Sequence, residues 1–216
     1  MATPFIRTNG TTPQVDFGTP LGGVISMVAP DSIDNGTIIL PPESCGLQGV
    51  IFQQLDDKVV ANTVTETSQF GTGGSSRTAT IKANSVAAGD CYMIRLNGFI
   101  SCVGNPANTL KVKIGAVELV VSGPTAIPQN LVKAFVETVF FFTVRSAGAT
   151  GEVIGQGHTK LVVGSLGTTY SRQLVMDTPA TIDFTVDNDI DITYTWGVAD
   201  PGNILTITNA MITVAR

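Results

Sequence analysis

The stretch ATIDFTV at residues 180–186 places apolar side chains at even positions and Thr or Asp at odd positions. The run DIDITYTW at residues 189–196 continues the alternation with Ile, Tyr and Trp at the even positions. A period of two residues is typical of a β-strand with one buried face and one face in water. Such half-buried strands are common in antiparallel sheets. The segment 179–214 therefore predicts three consecutive antiparallel strands.

From Val59 onwards, alternating runs of this kind recur between turns rich in Gly, Asn and Pro. The longest is CYMIRLNGFISCV at residues 91–103, which places Tyr92, Ile94, Leu96, Ile100 and Cys102 on one face. Strands that return about every 8–12 residues are typical of sandwiches and barrels. We expect an all-β fold, an antiparallel β-sandwich of about ten strands with almost no helix.

Two places depart from this simple pattern. In the last strand, the apolar residues change parity near Asn209, which predicts a β-bulge. The segment GLQGVIFQQLDDK at residues 46–58 spaces its apolar residues as a short helix would, yet its glycines and β-branched residues disfavour one. A short helix and an irregular connector both remain open for it.

The first 46 residues have a different composition, in which prolines and glycines alternate with apolar side chains. Proline and glycine interrupt regular elements, so we expect irregular or extended chain here. We divide the sequence into an N-terminal arm with its connector (1–58) and a β-sandwich domain (59–216). About 45 extended residues reach roughly 150 Å, enough to lie along neighbouring subunits. The alternative is a segment packed on its own domain.

The arm carries more apolar surface than a free linker would expose, so we expect it to contact other chains. The candidate interface residues of the arm are Phe5, Ile6, Val15, Phe17, Leu21, Ile25, Ile38, Ile39 and Leu40.

The run FVETVFFFTVR at residues 135–145 is apolar on both predicted faces. Such a strand either is central, with both faces covered, or meets another subunit. Phe140, Phe141 and Phe142 are therefore candidate residues of a subunit interface in the domain.

Charged residues make up only 13% of the chain, and the formal net charge is −5. Interface cores are depleted in charge, so this composition favours an oligomer. The Lys and Arg residues are scattered singly, so we expect no direct binding of nucleic acid. No apolar run has the length of a membrane span, and the first residues lack the pattern of a signal peptide. We expect synthesis in a cytoplasm and no membrane association.

Few residues are candidates for catalysis or for binding a metal or cofactor. His158 is the single histidine and has no second ligand at metal-binding spacing. The acidic run DNDID at residues 187–191 superficially resembles a calcium loop, but it lacks that loop's Gly and its final Glu, and Asn and Asp also favour turns. No nucleophile elbow, phosphate loop or dinucleotide fingerprint is present. We expect no catalytic residues, no metal and no cofactor, and hence no enzyme.

Two aromatic residues are candidates for contact with a ligand, and the cysteines are candidates for disulfides. Tyr170 and Trp196 could stack on sugars, but Trp196 lies on the apolar face of its strand and is better interpreted as core. Cys91 and Cys102 have opposite parity in one predicted strand and should not pair. We interpret the cysteines as reduced thiols.

Several segments resemble a class of β-sandwich virion proteins found in tailed phages and other large DNA viruses. The matching segments are AGDCYMIRLNGFIS (88–101), TLKVKIG (109–115), FTVRS (142–146), TWG (195–197) and NILTI (203–207). The resemblance covers roughly residues 60–216 and leaves the arm out. It implies a jelly-roll-like domain, commonly trimeric, that serves in head decoration or tail appendages. It implies no catalytic residues.

Composition, arm and resemblance together lead to one expectation. The chain is expected to be a trimeric decoration or cement protein on the capsid exterior, which binds between major capsid subunits and has the major capsid protein and copies of itself as partners. The alternative is a receptor- or carbohydrate-binding module of a phage tail fibre.

Overall fold

The computed structural model describes residues 5–9, 12–18, 24–28, 49–73, 79–164 and 168–215. The chain divides into two units, Met1–Pro41 and Pro42–Arg216.

In the first unit, three strands form an antiparallel sheet in the order β1 (Phe5–Asn9), β2 (Thr12–Gly18) and β3 (Val24–Val28). Of the two alternatives expected for this segment, irregular or extended chain, these residues are extended, and in addition they pair regularly. Proline is tolerated in β2 because Pro13 precedes the part of β2 that pairs with β3. Its missing N–H therefore breaks no hydrogen bond in the middle of the sheet.

The second unit contains the remaining strands. They are β4 (Gly49–Gln53), β5 (Lys58–Ala61), β6 (Thr67–Ser68), β7 (Thr80–Ile81), β8 (Cys91–Ser101), β9 (Ala107–Ile114), β10 (Val117–Ala126), β11 (Ala134–Ser146), β12 (Gly151–Val163), β13 (Thr168–Val175), β14 (Ala180–Ile182), β15 (Asn188–Trp196) and β16 (Ile204–Ala215). This exceeds the expected ten because β4 lies in the segment 46–58, for which no strand was expected, and because β6 is only two residues long, too short for a period of two to show.

These strands form two antiparallel sheets. The large sheet has the order β13-β12-β11-β8-β16-β4, with β14 beside β12 and β5 beside β16. The small sheet has the order β10-β9-β15-β6, with β7 beside β15. The chain passes between the sheets six times, from β5 to β6, β7 to β8, β8 to β9, β10 to β11, β14 to β15 and β15 to β16. All elements assigned in the described residues are strands, and the antiparallel β-sandwich predicted from the sequence is confirmed.

The buried apolar residues of both sheets form one core. On β8, Tyr92, Ile94, Leu96 and Ile100 are all buried, as the alternation predicts. Trp196 is fully buried, and its Nε1 donates a hydrogen bond to the carbonyl oxygen of Val60 at 3.1 Å. The core interpretation of this tryptophan is confirmed.

The predicted strand at 180–186 is wrong in its second half, because β14 ends at Ile182. The Asp183 carboxylate accepts hydrogen bonds from the backbone N and the Oγ1 of Thr185, at 2.9 and 2.6 Å. The side chain of Asn188 donates to the carbonyl oxygens of Asp183 and Val186. Local side-chain hydrogen bonds of this kind favour a turn over a continued strand.

The segment 46–58 contains neither a helix nor a simple connector in its described part. β4 pairs with β16, from Met211 opposite Gln53 to Val214 opposite Gly49, and β5 pairs with the other half of β16. The sandwich therefore begins before the predicted boundary at residue 58, and the structural boundary lies between Pro41 and Pro42. The bulge predicted near Asn209 is confirmed by a register shift between Ile207 and Asn209.

Candidate functional site

The large sheet has an inner face towards the core and an opposite face, here called the outer face. On the outer face, Phe135 of β11 lies opposite Phe99 of β8, and Phe141 lies opposite Met93. The three phenylalanines Phe99, Phe135 and Phe141 are 44%, 39% and 42% exposed. The Phe99 and Phe135 rings meet edge to face, with centroids 6.4 Å apart. Exposed aromatic rings concentrated on one sheet face are typical of an interaction surface.

One ion pair lies near these rings, and Lys160 of β12, opposite Glu137, is a further exposed charge of this face. The Arg95 guanidinium donates two hydrogen bonds to Oε1 of Glu137, from Nη2 at 2.8 Å and from Nε at 3.2 Å. Arg95 lies opposite Val139, which in turn lies opposite His158 on β12. A neighbouring chain could cover this region without burying an uncompensated charge from that ion pair.

Two of the three residues predicted for a subunit interface in the domain belong to the core. Phe140 and Phe142 are 0% and 1% exposed, and Phe142 stacks on Tyr92 at a centroid distance of 4.8 Å. The reason is that the pleat of β11 directs its even positions to the buried inner face and its odd positions to the outer face. The assignment of Phe140 and Phe142 to an interface is therefore corrected, and Phe141 alone remains accessible.

The candidate residues of the arm fall partly within described strands. Phe5 and Ile6 lie in β1, Val15 and Phe17 in β2, and Ile25 in β3. In the register of this sheet, Ile6 pairs with Val15, and Phe17 pairs with Ile25. The other candidates lie outside the described residues; they are Leu21, Ile38, Ile39 and Leu40. The interface role of the arm stays a prediction.

The acidic run at 187–191 is tied to neighbouring strands. The Asp187 carboxylate accepts from Lys82 Nζ and from the backbone N of Ala83, both at 2.8 Å, and Lys82 holds its pKa below the ordinary value. Asp189 accepts from Thr80 Oγ1 at 2.6 Å, and Asp191 accepts from Ser68 Oγ at 2.7 Å. Burial raises the pKa of Asp191. No group of three or more potential metal ligands occurs among the described residues.

An ion-pair cluster lies on the small sheet. The Glu66 carboxylate contacts Lys111 Nζ at 2.9 Å and Lys113 Nζ at 3.2 Å, and it accepts a hydrogen bond from Thr193 Oγ1 at 2.9 Å. Lys111 also pairs with Glu118. The hydrogen bond from Lys111 is the main cause that lowers the pKa of Glu66 to about 2.

A cavity of about 190 Å³ lies between the sheets, near the edge strands β10 and β13. Arg172 of β13 crosses from the large sheet to the small one. Its Nη2 donates to Oδ1 of Asn108 at 2.6 Å, and its Nη1 donates to the carbonyl oxygen of Ser122 at 3.2 Å. Asn108 Nδ2 donates to the Tyr194 hydroxyl at 2.7 Å, and burial raises the pKa of Tyr194 well above its ordinary range.

Sequence reasoning did not find this cavity. Its polar residues come from separate strands, and of the residues that line it the sequence indicates only the exposed Tyr170 as a candidate for ligand contact. The one available signal was Arg172 at an inward parity of its strand, and a single arginine in an alternating run is a weak signal. Of the cysteines in the described residues, Cys91 is half-buried and Cys102 is buried, and both are free.

No protein-family model matches the chain, and no curated protein is significantly similar to it. Within the described residues, no helix is long and apolar enough to cross a membrane.

Proposed function

We propose that this protein is a structural component of a virion, a trimeric decoration or cement protein on the capsid exterior that is made in the host cytoplasm. Neighbouring copies pack on the outer face of the large sheet, and the N-terminal residues bind the major capsid protein. The observation that carries the proposal is the group of half-exposed rings of Phe99, Phe135 and Phe141 on one sheet face, beside the ion pair of Arg95 and Glu137.

The apolar area of this surface indicates how strongly two copies would associate through it. Full burial of a Phe side chain contributes about 1.5–3 kcal/mol, so three rings that are about 40% exposed contribute roughly 2–4 kcal/mol per copy. Association of two proteins costs about 4–15 kcal/mol in lost rigid-body freedom. The outer face alone therefore gives weak association. Contacts of the arm with neighbouring copies and with the shell would supply the remainder, because linked contacts strengthen each other.

The test is the oligomeric state of the full chain, measured by size-exclusion chromatography with light scattering over a range of concentrations. We expect a mass of three times 22.5 kDa for the unaltered protein at the highest concentrations. The triple variant Phe99→Ser, Phe135→Ser, Phe141→Ser should be monomeric. A control variant removes comparable exposed apolar side chains away from the outer face, at Val132, Val186 and Val198. It should remain trimeric.

A protein that stays monomeric at every concentration, or a triple variant that still forms trimers, would contradict the proposal. The position of the protein in a density map of the virus particle distinguishes the head from the tail. Binding of the sandwich domain to a glycan array, together with a tail position, would instead support the receptor- or carbohydrate-binding alternative.

A further inference from the structure

We propose that the cavity between β10 and β13 is a binding site for a small organic carboxylate, with the Arg172 guanidinium as the partner of the carboxylate group. This inference is independent of the proposed assembly role, because the cavity lies between the sheets and the candidate interface lies on the outer face.

The lining of the cavity is apolar along its walls and polar at one end. Leu110, Val136 and Leu161 line it from both sheets, and all three are buried. The exposed residues Ala126 and Tyr170 also line it and mark its opening. Small-molecule sites typically combine apolar walls with a few polar groups that fix the orientation of the ligand.

The volume of the cavity limits the ligand. An apolar cavity of about 150 Å³ in another protein accommodates benzene. The present cavity of about 190 Å³ can therefore hold one six-membered ring with a small substituent. Drug-sized ligands need pockets of about 300–1,000 Å³, so a larger molecule would not fit without movement of the sheet edges.

The positive charge of Arg172 favours a negatively charged substituent on the ring of the ligand. Its two hydrogen bonds go to neutral acceptors, the amide oxygen of Asn108 and the carbonyl oxygen of Ser122. None of the ion pairs among the described residues includes Arg172. Burial lowers its pKa, because a desolvated guanidinium lacks the compensation that a negative charge would give. A carboxylate supplies that charge and matches the guanidinium in bidentate geometry.

Hydroxyl groups stand close to the same end of the cavity. The Thr138 and Thr159 hydroxyls are 3.0 Å apart and both line the cavity, as does the Tyr194 ring. A hydroxyl group can donate a hydrogen bond to a carboxylate oxygen as well as accept one. The site thus offers neutral donors in addition to the guanidinium.

A purely structural role for Arg172, as a bridge between the two sheets, makes a different prediction. If the guanidinium only bridges the sheets and does not contact a ligand in the cavity, charged and neutral ligands of the same shape bind with similar affinity. Benzoate and benzamide have nearly the same shape and differ in charge, so the pair separates the two roles.

The experiment is titration of the full chain at pH 7 with benzoate and with benzamide, followed by isothermal calorimetry and ligand-observed NMR. We expect benzoate to bind with a Kd of about 1 mM or lower, and at least about tenfold more tightly than benzamide. In Arg172→Gln the two affinities should become equal. The control Arg145→Gln removes an exposed guanidinium elsewhere and should bind as the unaltered protein does.

A second variant keeps the proposal testable if Arg172→Gln does not fold. Ala126→Leu places a larger side chain at the opening and leaves the core and Arg172 intact, so it should weaken the binding of benzoate about tenfold or more. The proposal is overturned if the unaltered protein binds neither compound at millimolar concentration, or binds both equally. It is also overturned if Ala126→Leu binds benzoate without loss, since the ligand would then lie elsewhere.

Discussion

Phe140 and Phe141 are neighbours in β11 and have opposite environments. Phe140 is fully buried between the sheets, and Phe141 is 42% exposed on the outer face. The difference follows from the pleat of the strand, which directs successive side chains to opposite faces. At the scale of single residues, a substitution at an even position of β11 therefore changes the core, and one at an odd position changes the outer face.

We expect Phe140→Ala to lower the free energy of unfolding by about 3–5 kcal/mol, because it leaves a cavity in a packed core. The matched change Phe141→Ala should cost less than about 1 kcal/mol, because the ring is already half in water. Urea denaturation of both variants, at a concentration where both are monomeric, measures the difference. Equal losses would show that the assignment of the two faces is wrong.

Gly157 of β12 is required by close approach rather than by a turn. A Cβ at this position would lie 2.1 Å from the carbonyl oxygen of Val139 and 2.7 Å from the Cα of Phe140. Both atoms belong to the backbone of β11, so the two central strands would have to separate locally.

Gly157→Ala should therefore destabilise the fold by about 1–3 kcal/mol or more. Gly49→Ala is the matched control, because its Cβ would meet only Val214 Cγ1 at 3.5 Å, an ordinary contact. The control should change the free energy of unfolding by no more than about 0.5 kcal/mol. Thermal and urea unfolding followed by circular dichroism give both values, and a neutral Gly157→Ala would refute the close approach.

At the scale of elements, the small sheet is joined by the ion-pair cluster that links the segment before β6 to β9 and β15. Lys111 and Lys113 lie on β9, Thr193 lies on β15, and all three contact Glu66. Because this carboxyl group has a pKa of about 2 in the folded protein and 4.5 ordinarily, its ionised form is favoured by folding.

The stability that ionised Glu66 contributes depends on pH. The contribution of Glu66 is complete above its unfolded pKa of 4.5 and is lost as the pH falls towards about 2. Because the cluster is partly solvated, we expect it to contribute about 1 kcal/mol at most. Glu66→Gln should therefore be less stable than the unaltered protein at pH 7, and this difference should shrink between about pH 5 and pH 2.

Urea unfolding at several pH values checks this prediction. Glu152→Gln is the control, because Glu152 is exposed and takes part in none of the ion pairs of the described residues. Its difference from the unaltered protein should not vary with pH in the same way. A constant difference for Glu66→Gln would contradict the contribution of the cluster.

At the scale of the whole molecule, the position of the boundary between the two units determines which fragments of the chain retain a complete sandwich. β4 covers one side of β16 and contributes the buried Phe52, and β5 contributes the buried Val60. A chain that starts after the boundary at Pro41 keeps these strands, whereas a chain that starts at Val59 loses β4 and exposes the ladder of β16.

We therefore expect residues 42–216 to be soluble and to unfold in one cooperative transition. Residues 59–216 should aggregate, or melt at a temperature lower by roughly 5 °C or more, because several kcal/mol of buried apolar contact is lost. Circular dichroism melts and light scattering of the two fragments decide between these outcomes. Identical behaviour of the two fragments would place the boundary at residue 58 after all.

What the sequence determined by itself is the local alternation. The period of two identified the long strands, the buried face of β8, the core position of Trp196 and the bulge near Asn209, because each depends only on residues close together in the chain. It also limited the possibilities for β11 to a central strand or an interface strand. The strand lies inside the large sheet with one face in the core, while Phe135 and Phe141 on its other face are half-exposed, so an interface there stays a prediction.

Only the tertiary structure decided which distant strands meet. It placed β4 beside β16, made Phe140 and Phe142 core residues, and brought Arg172 to Asn108 on the opposite sheet. It also decided that the chain turns after Ile182 although the alternation continues. The physical reason is that a side-chain pattern specifies a face but not the partner of that face. Pairing is selected by the packing and hydrogen bonding of the whole sandwich.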